Sequence, residues 1–82
     1  MEIGCGVRVR DFGGRRYWYF WHYEREDGRS VRHEDYVGRV ESDRSKADLL
    51  RRMLAYHRRA EAEFARKRAL IERLVAGPRT SE

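Results

Sequence analysis

The sequence predicts an α+β fold, in which a three-stranded antiparallel β-meander is followed by one long α-helix. Three observations predict it. Apolar and charged residues alternate through residues 7–10, an unbroken aromatic run occupies residues 17–21, and residues 46–76 contain neither glycine nor proline. A chain of 82 residues has room for one small domain with a thin core, so a large enclosed pocket is not expected.

Two glycine-containing turns separate the three predicted strands. Gly13-Gly14 and Asp27-Gly28 are both typical of two-residue hairpin loops, because the primed turns of such loops need positive φ at their central positions. The aromatic run between them suits a pleated surface. The strands are expected near residues 7–10, 16–23 and 29–37, within a sheet region that takes residues 1–45.

Residues 46–76 are predicted to form the helix, since they are rich in Ala, Leu, Arg and Glu, which are strong helix formers. Ser45 opens a motif that resembles a capping box, and Ser42 is the competing N-cap. Gly77-Pro78 is a helix stop, so residues 77–82 are expected to form a frayed tail.

The two turns also decide which side chains share a face of the sheet, because directly opposed residues lie on the same face. With two-residue loops, Val9 and Val37 are both expected opposite Trp18. One face then forms a floor for the helix and collects Val7, Val9, Trp18, Phe20, Val31 and Val37. The other face collects rings and arginines with a single acid: Arg8, Arg10, Tyr17, Tyr19, Trp21, Tyr23, Arg25, Arg32, Tyr36 and Glu34.

A surface of flat rings and guanidinium groups suits nucleic acid, because rings stack on bases and arginines bind phosphates or base edges. The net charge of +5 and the sequence pI near 9.9 point to a polyanionic partner in the same way. The alternative is that another protein covers this face, since exposed aromatic patches mark interaction sites of any kind.

Short motifs in all three strands resemble one family. Gly6-Val7-Arg8-Val9-Arg10 resembles the Gly-Val-Arg-x-Arg first strand of the ethylene-response-factor type of plant DNA-binding domain, whose fold plan also occurs in arm-binding domains of some integrases. Gly14-Arg15-Arg16-Tyr17-Trp18 is similar to its Gly-Lys-Trp second strand. Arg32 with Tyr36-Val37-Gly38-Arg39-Val40 is similar to its Arg-x-Trp-Leu-Gly-x-Phe third strand.

The resemblance covers residues 6–55 and implies that the sheet enters the major groove of DNA. It implies DNA contacts by Arg8, Arg10, Arg15 or Arg16, Arg25 and Arg32. The chain departs from the family pattern where Tyr36 replaces the third-strand Trp, and its helix is far longer than the family's.

The helix carries an apolar stripe that is longer than the sheet. Its a-like positions are Leu50, His57, Phe64 and Ile71, and its d-like positions are Met53, Ala60, Lys67 and Leu74. A sheet about 20 Å long covers about half of this helix, so a homodimer through the second half is expected. The alternative is a helix kinked near residues 59–63 that folds back on the sheet.

Arginines also recur every seven residues on another side of the helix, at Arg52, Arg59, Arg66 and Arg73. Residues 1–41 have no net charge, and residues 42–82 carry the whole excess of +5. This ridge is therefore expected to add electrostatic attraction, unless its arginines pair with acids on the same helix. The residues expected to contact nucleic acid are Arg8, Arg10, Arg15, Arg16, Tyr17, Tyr19, Trp21, Tyr23, Arg25, Arg32, Arg52, Arg59 and Arg66.

Other site chemistries have little support. In the assumed register Cys5, His22 and His33 form a row across the sheet, which His57 of the helix could join as a zinc ligand, but their spacing matches no local metal motif. No catalytic set or phosphate-binding loop stands out, so neither enzyme activity nor a cofactor is expected. With no membrane-spanning run, no secretory signal and one cysteine, we expect a cytoplasmic protein, nucleoid-associated if it binds DNA.

The sequence thus predicts a small basic protein that binds nucleic acid, with double-stranded DNA as the first hypothesis and a regulatory, chromatin-like or mobile-element accessory role. Two alternatives stay open. One is a protein-binding adaptor of phage or virus type that uses the aromatic face. The other is a protein that binds single-stranded nucleic acid or RNA, since stacking rings do not need a duplex.

Overall fold

The computed structural model describes residues 4–77 and confirms the predicted fold class. The chain forms three strands, β1 (Cys5–Phe12), β2 (Arg15–Glu26) and β3 (Arg29–Arg39). One helix, α1 (Asp43–Ala76), follows them. The strands form one antiparallel sheet in the order β1-β2-β3. The helix packs on one face of this sheet, mainly over β2 and β3.

Both hairpin turns are confirmed. Gly13 and Gly14 have φ of 60° and 84°, and Asp27 and Gly28 have φ of 51° and 76°, as two-residue primed turns require. The tight turns set the pairing of the strands, because loop length fixes hairpin register. Val9 accordingly lies opposite Trp18 in the β1–β2 pair.

The pairing of β2 with β3 differs from the prediction at one point. Gly38, and not Val37, lies opposite Trp18, because a β-bulge between Trp18 and Tyr19 shifts the register by one residue. Val37 nevertheless packs against the core. A Cβ atom at Gly38 would overlap the Ser45 side chain, so the first turn of the helix rests directly on the backbone of the bulged region.

The helix is longer at its start than predicted. It begins at Asp43, and Ser42 is the N-cap, since its Oγ accepts a hydrogen bond of 3.2 Å from the backbone N–H of Ser45. The assignment of Ser45 as the cap was therefore wrong. The end of the helix is confirmed, because Gly77 caps it and donates its backbone N–H to the carbonyl of Arg73.

The core is small and lies between β2 and the first half of α1. Phe20, Leu49 and Tyr56 are buried, and the residues that pack around them are Cys5, Trp18, Val37, Met53 and Ala60. Leu50 and His57, two of the predicted a-like positions, are exposed. The helix contacts the sheet through the residues that precede them, Leu49 and Tyr56. The Tyr56 hydroxyl anchors this contact by donating to the carbonyl of Tyr23 at 2.9 Å.

The expected floor for the helix is only partly covered. Val7 and Val9 of β1 are 37% and 44% exposed, because the helix crosses the other two strands. The alternative of a kinked helix that folds back on the sheet is wrong, since α1 is continuous over 34 residues and about 51 Å. Its second half projects past the sheet, and the molecule measures 72 × 25 × 13 Å. In residues 4–77 no helix has the length and apolarity that crossing a membrane demands.

Candidate nucleic-acid interface

The face of the sheet away from the helix carries two groups of aromatic rings in contact. Tyr36 of β3 bridges two rings of β2, with centroids 5.9 Å from Tyr17 and 5.7 Å from Tyr19. Trp21 meets Tyr23 edge to face at 6.2 Å. Phe12, which was not predicted to lie on this face, adds a further ring through a 6.0 Å contact with Tyr17.

Two arginines lie over these rings. The Arg10 guanidinium is 5.2 Å from the centroid of Tyr19, and the Arg32 guanidinium is 5.1 Å from that of Trp21. These are cation–π distances, at which ring and cation attract each other. The guanidinium groups, and not bare ring faces, are therefore the outermost chemistry at these two positions.

Glu34 lies among the arginines of this face. Arg10 donates to its Oε1 at 2.6 Å, and the Arg8 Nη1 atom lies 3.9 Å from its Oε2. The hydrogen bond from Arg10 holds the pKa of Glu34 below its ordinary value, with Arg8 and Arg32 acting in the same direction. This carboxylate stays ionised near neutral pH and offsets part of the positive charge around it.

Strand alternation sorts the charges of the sheet onto opposite faces. We call the face away from the helix the arginine face; besides its rings it carries Glu34 and six arginines, namely Arg8, Arg10, Arg15, Arg25, Arg32 and Arg39. The side toward the helix carries Asp11, Glu24, Glu26 and Asp35 against Arg16 and Arg29. Arg16, a predicted contact residue, therefore does not join the arginine face, whereas Arg15 does.

The acidic side chains Glu24, Glu26 and Asp35, on the helix side of the sheet, contact histidines of the same chain. The ring nitrogens of His22 lie 2.7 Å from Glu24 Oε2 and 2.9 Å from Asp35 Oδ2, and Nε2 of His33 lies 2.5 Å from Glu26 Oε2. The two imidazole rings stack at 5.5 Å. These contacts balance the acids without involving the arginine face.

The same contacts affect the row of Cys5, His22 and His33, which are residue types that bind metals. Cys5 does pair with His22, and His22 with His33, as expected. Both ring nitrogens of His22 already face carboxylates, and burial raises the pKa of the Cys5 thiol. Within the described part of the chain no group of His, Cys, Asp or Glu side chains has the arrangement of a metal site.

The arginine ridge of the helix has partners of its own. Arg52 donates to Asp48 at 3.1 Å, Arg59 donates to Glu24 of β2 at 3.1 Å, and Arg66 binds Glu63. The pairs of Arg52 and Arg66 match the alternative in which ridge arginines pair with acids on the same helix, and the acid that Arg59 binds lies on the sheet. The helix also lies across the sheet from the arginine face, so the fold does not bring the two sets of predicted contact residues together.

An open cleft lies beside the projecting helix. Its lining includes Tyr23 and Glu24 of β2 together with Arg59, Glu63 and Arg66 of α1. These charged side chains already form ion pairs, Arg59 with Glu24 of the sheet and Arg66 with Glu63 of the helix. On the arginine face, Arg15, Arg25 and Arg32 form no ion pair within residues 4–77, whereas the other three arginines lie near Glu34 or Glu41. Comparisons with family models, with curated proteins and with solved structures find no match for the chain.

Proposed function

We propose that the arginine face binds double-stranded DNA. The observation that carries this proposal is the charge of the face, six arginines against Glu34, on a surface that the helix leaves open. Three strands about 4.8 Å apart place the outer strands about 10 Å from each other. The major groove of B-DNA is about 12 Å wide, so a sheet of this width fits it.

The mode of binding follows from the order of groups on this face. Guanidinium forks bind phosphates and guanine edges, and here two of them lie over rings of the face, at Tyr19 and Trp21. Single-stranded nucleic acid instead needs open ring faces on which bases can stack. Arg10 and Arg32 occupy the faces of Tyr19 and Trp21, which favours a duplex. The resemblance of the three strands to groove-binding sheets supports the same choice.

The test compares two double variants that remove equal charge from opposite sides of the sheet. Arg8→Ala with Arg32→Ala removes two arginines of the arginine face, and Arg16→Ala with Arg29→Ala is the matched control. Fluorescence anisotropy of a labelled mixed-sequence duplex measures the affinity over a series of salt concentrations. Circular dichroism confirms that each variant is folded.

We expect the first variant to lose at least about tenfold in affinity and about 2 units of salt slope, because each phosphate contact contributes about 0.9. The control keeps most of its affinity, since charges not at the interface are screened. Equal losses in both variants would contradict the proposal, as would binding by the unaltered chain that does not weaken with salt.

Competition identifies the form of nucleic acid. Unlabelled duplex DNA should displace the labelled duplex at lower concentration than single-stranded DNA or RNA of the same length. Displacement first by a single strand means that the rings, and not the guanidinium groups, carry the contact. A chain that binds none of the three at low salt supports the protein-binding adaptor instead.

A further inference from the structure

The second half of α1 has an apolar stripe that its own chain does not cover. Beyond Ala60 the helix has passed the core, and Phe64, Ile71, Leu74 and Val75 are all more than half exposed, the last of them at 82%. Large apolar side chains in a continuous stripe mark an interaction surface. This surface does not belong to the arginine face, so it calls for a partner of its own.

Two charges beside this stripe are also without partners. Glu61 and Arg68 are exposed, and neither takes part in an ion pair within residues 4–77. They are seven residues apart, about 10 Å along the helix, which is too far for them to pair with each other. Both lie on one flank of the stripe, away from the flank of Glu63 and Arg66 that faces β2.

We propose that this half of α1 pairs in antiparallel orientation with the same segment of a second copy of the chain. In the register that we infer, Phe64 lies opposite the partner's Lys67, Ile71 opposite the partner's Ala60, and Leu74 opposite the partner's His57. Each of these pairs sets an a-like position of one copy against a d-like position of the other. The contacts between a-like and d-like positions cover residues 57–74, about 27 Å of helix.

Charge complementarity selects this register. It places Glu61 opposite the partner's Arg68, and two-fold symmetry repeats the pair on the other side. On the same flank Leu54 meets the partner's Val75, both of which are exposed in the single chain. The flanking positions of paired helices decide orientation and partner choice in this way.

The neighbouring registers bring like charges together. Sliding one helix by seven residues in one direction places Arg68 against the partner's Arg68. Sliding it in the other direction places Glu61 against the partner's Glu61. A parallel pair would stack Lys67 on the partner's Lys67, whereas the antiparallel pair lays the Lys67 stem and ammonium against an aromatic ring.

The test is a charge reversal with rescue. Sedimentation equilibrium over a concentration series should show an average mass that rises from 9.9 kDa toward twice that value. Glu61→Arg and Arg68→Glu should each weaken the association at least about tenfold, because each creates two like-charge contacts per dimer. The double variant Glu61→Arg with Arg68→Glu should restore it to within about threefold.

Matched controls change the same charges on the far side of the helix. Arg58→Glu and Glu72→Arg lie outside the inferred interface, so the association should stay within about threefold of the unaltered chain. A chain that is monomeric up to about 1 mM overturns the proposal. So does a double variant that stays dissociated, or rescue of Arg68→Glu by Glu63→Arg, which is the pairing of a parallel dimer. None of these outcomes depends on DNA binding.

Discussion

The helix ridge and the arginine face contain the same residue type in opposite situations. The ridge lies in the half of the chain that carries all the excess positive charge, yet Arg52, Arg59 and Arg66 each bind a carboxylate. The arginine face belongs to a segment whose charges sum to zero, yet it sets six arginines against one acid. Charge counted along a chain therefore says little about the charge that a ligand would meet.

The difference arises because a strand alternates its side chains between two environments, whereas Arg52 and Arg66 of the ridge lie one helical turn from an acid. Arg59 instead lies against Glu24 of β2. On the sheet, the acids that would cancel the arginines point to the other side and are taken up by His22, His33 and Arg59.

The largest effect should come from removing the contact that keeps the helix on one side of the sheet. Leu49→Ala truncates one of the three hydrophobic residues that are buried within residues 4–77, and it should cost about 2–4 kcal/mol of unfolding free energy. Leu50→Ala, its exposed neighbour, should cost less than about 1 kcal/mol. Urea denaturation followed by circular dichroism measures both, and similar losses would mean that the helix docks through a different stripe.

A gain of DNA affinity should follow from removing the one acid of the arginine face. Glu34→Gln frees Arg10 and Arg8 from their shared carboxylate, so the affinity for duplex DNA should rise about fivefold and the salt slope should steepen. Glu24→Gln removes the same charge from the helix side and serves as the control in the anisotropy assay. A gain in the control as large as that of Glu34→Gln would show that net charge alone governs binding.

Acid should loosen the helix from the sheet. The hydrogen bond from Arg59 holds the pKa of Glu24 below its ordinary value of 4.5, so the unfolded chain takes up protons first as pH falls. The stabilisation is complete above about pH 4.5 and is lost below it, with a size under about 1 kcal/mol because the pair is partly exposed.

Urea denaturation at several pH values between about 3 and 7 measures this loss. Arg59→Ala should make the profile less steep in that range, while Glu34 and Asp48, whose pKa values are also lowered, keep part of the slope. Arg66→Ala should leave it unchanged, since Arg66 pairs within the helix. A profile with the same slope in both variants would place the titrating contact elsewhere.

The smallest effect should come from the ridge itself. Arg52→Ala with Arg66→Ala removes two arginines that already have carboxylate partners, so duplex affinity should fall by no more than about twofold. The same anisotropy assay compares this variant with Arg8→Ala and Arg32→Ala. If the ridge variant loses more, the ridge and not the sheet contacts the DNA.

Most of the arginine face could be predicted from the sequence. Two tight turns with positive φ decide which residues oppose each other, and alternation then places Arg8, Arg10 and Arg32 with the rings. Phe12 follows the same alternation, and extending β1 into the turn would have found it. Arg39 could not be found in this way, because the bulge after Trp18 reverses the alternation at that end of β3.

The sequence by itself thus determined the strands, the turns, the helix and the sidedness of the sheet, because these depend on residues that are close along the chain. The tertiary structure alone decided that Leu49 and Tyr56 are buried instead of Leu50 and His57, since the docking angle selects one side of a broad apolar stripe. It also decided that Glu24 binds Arg59, 35 residues away. Burial and ion pairing depend on neighbours in space, which packing establishes only after the local elements have formed.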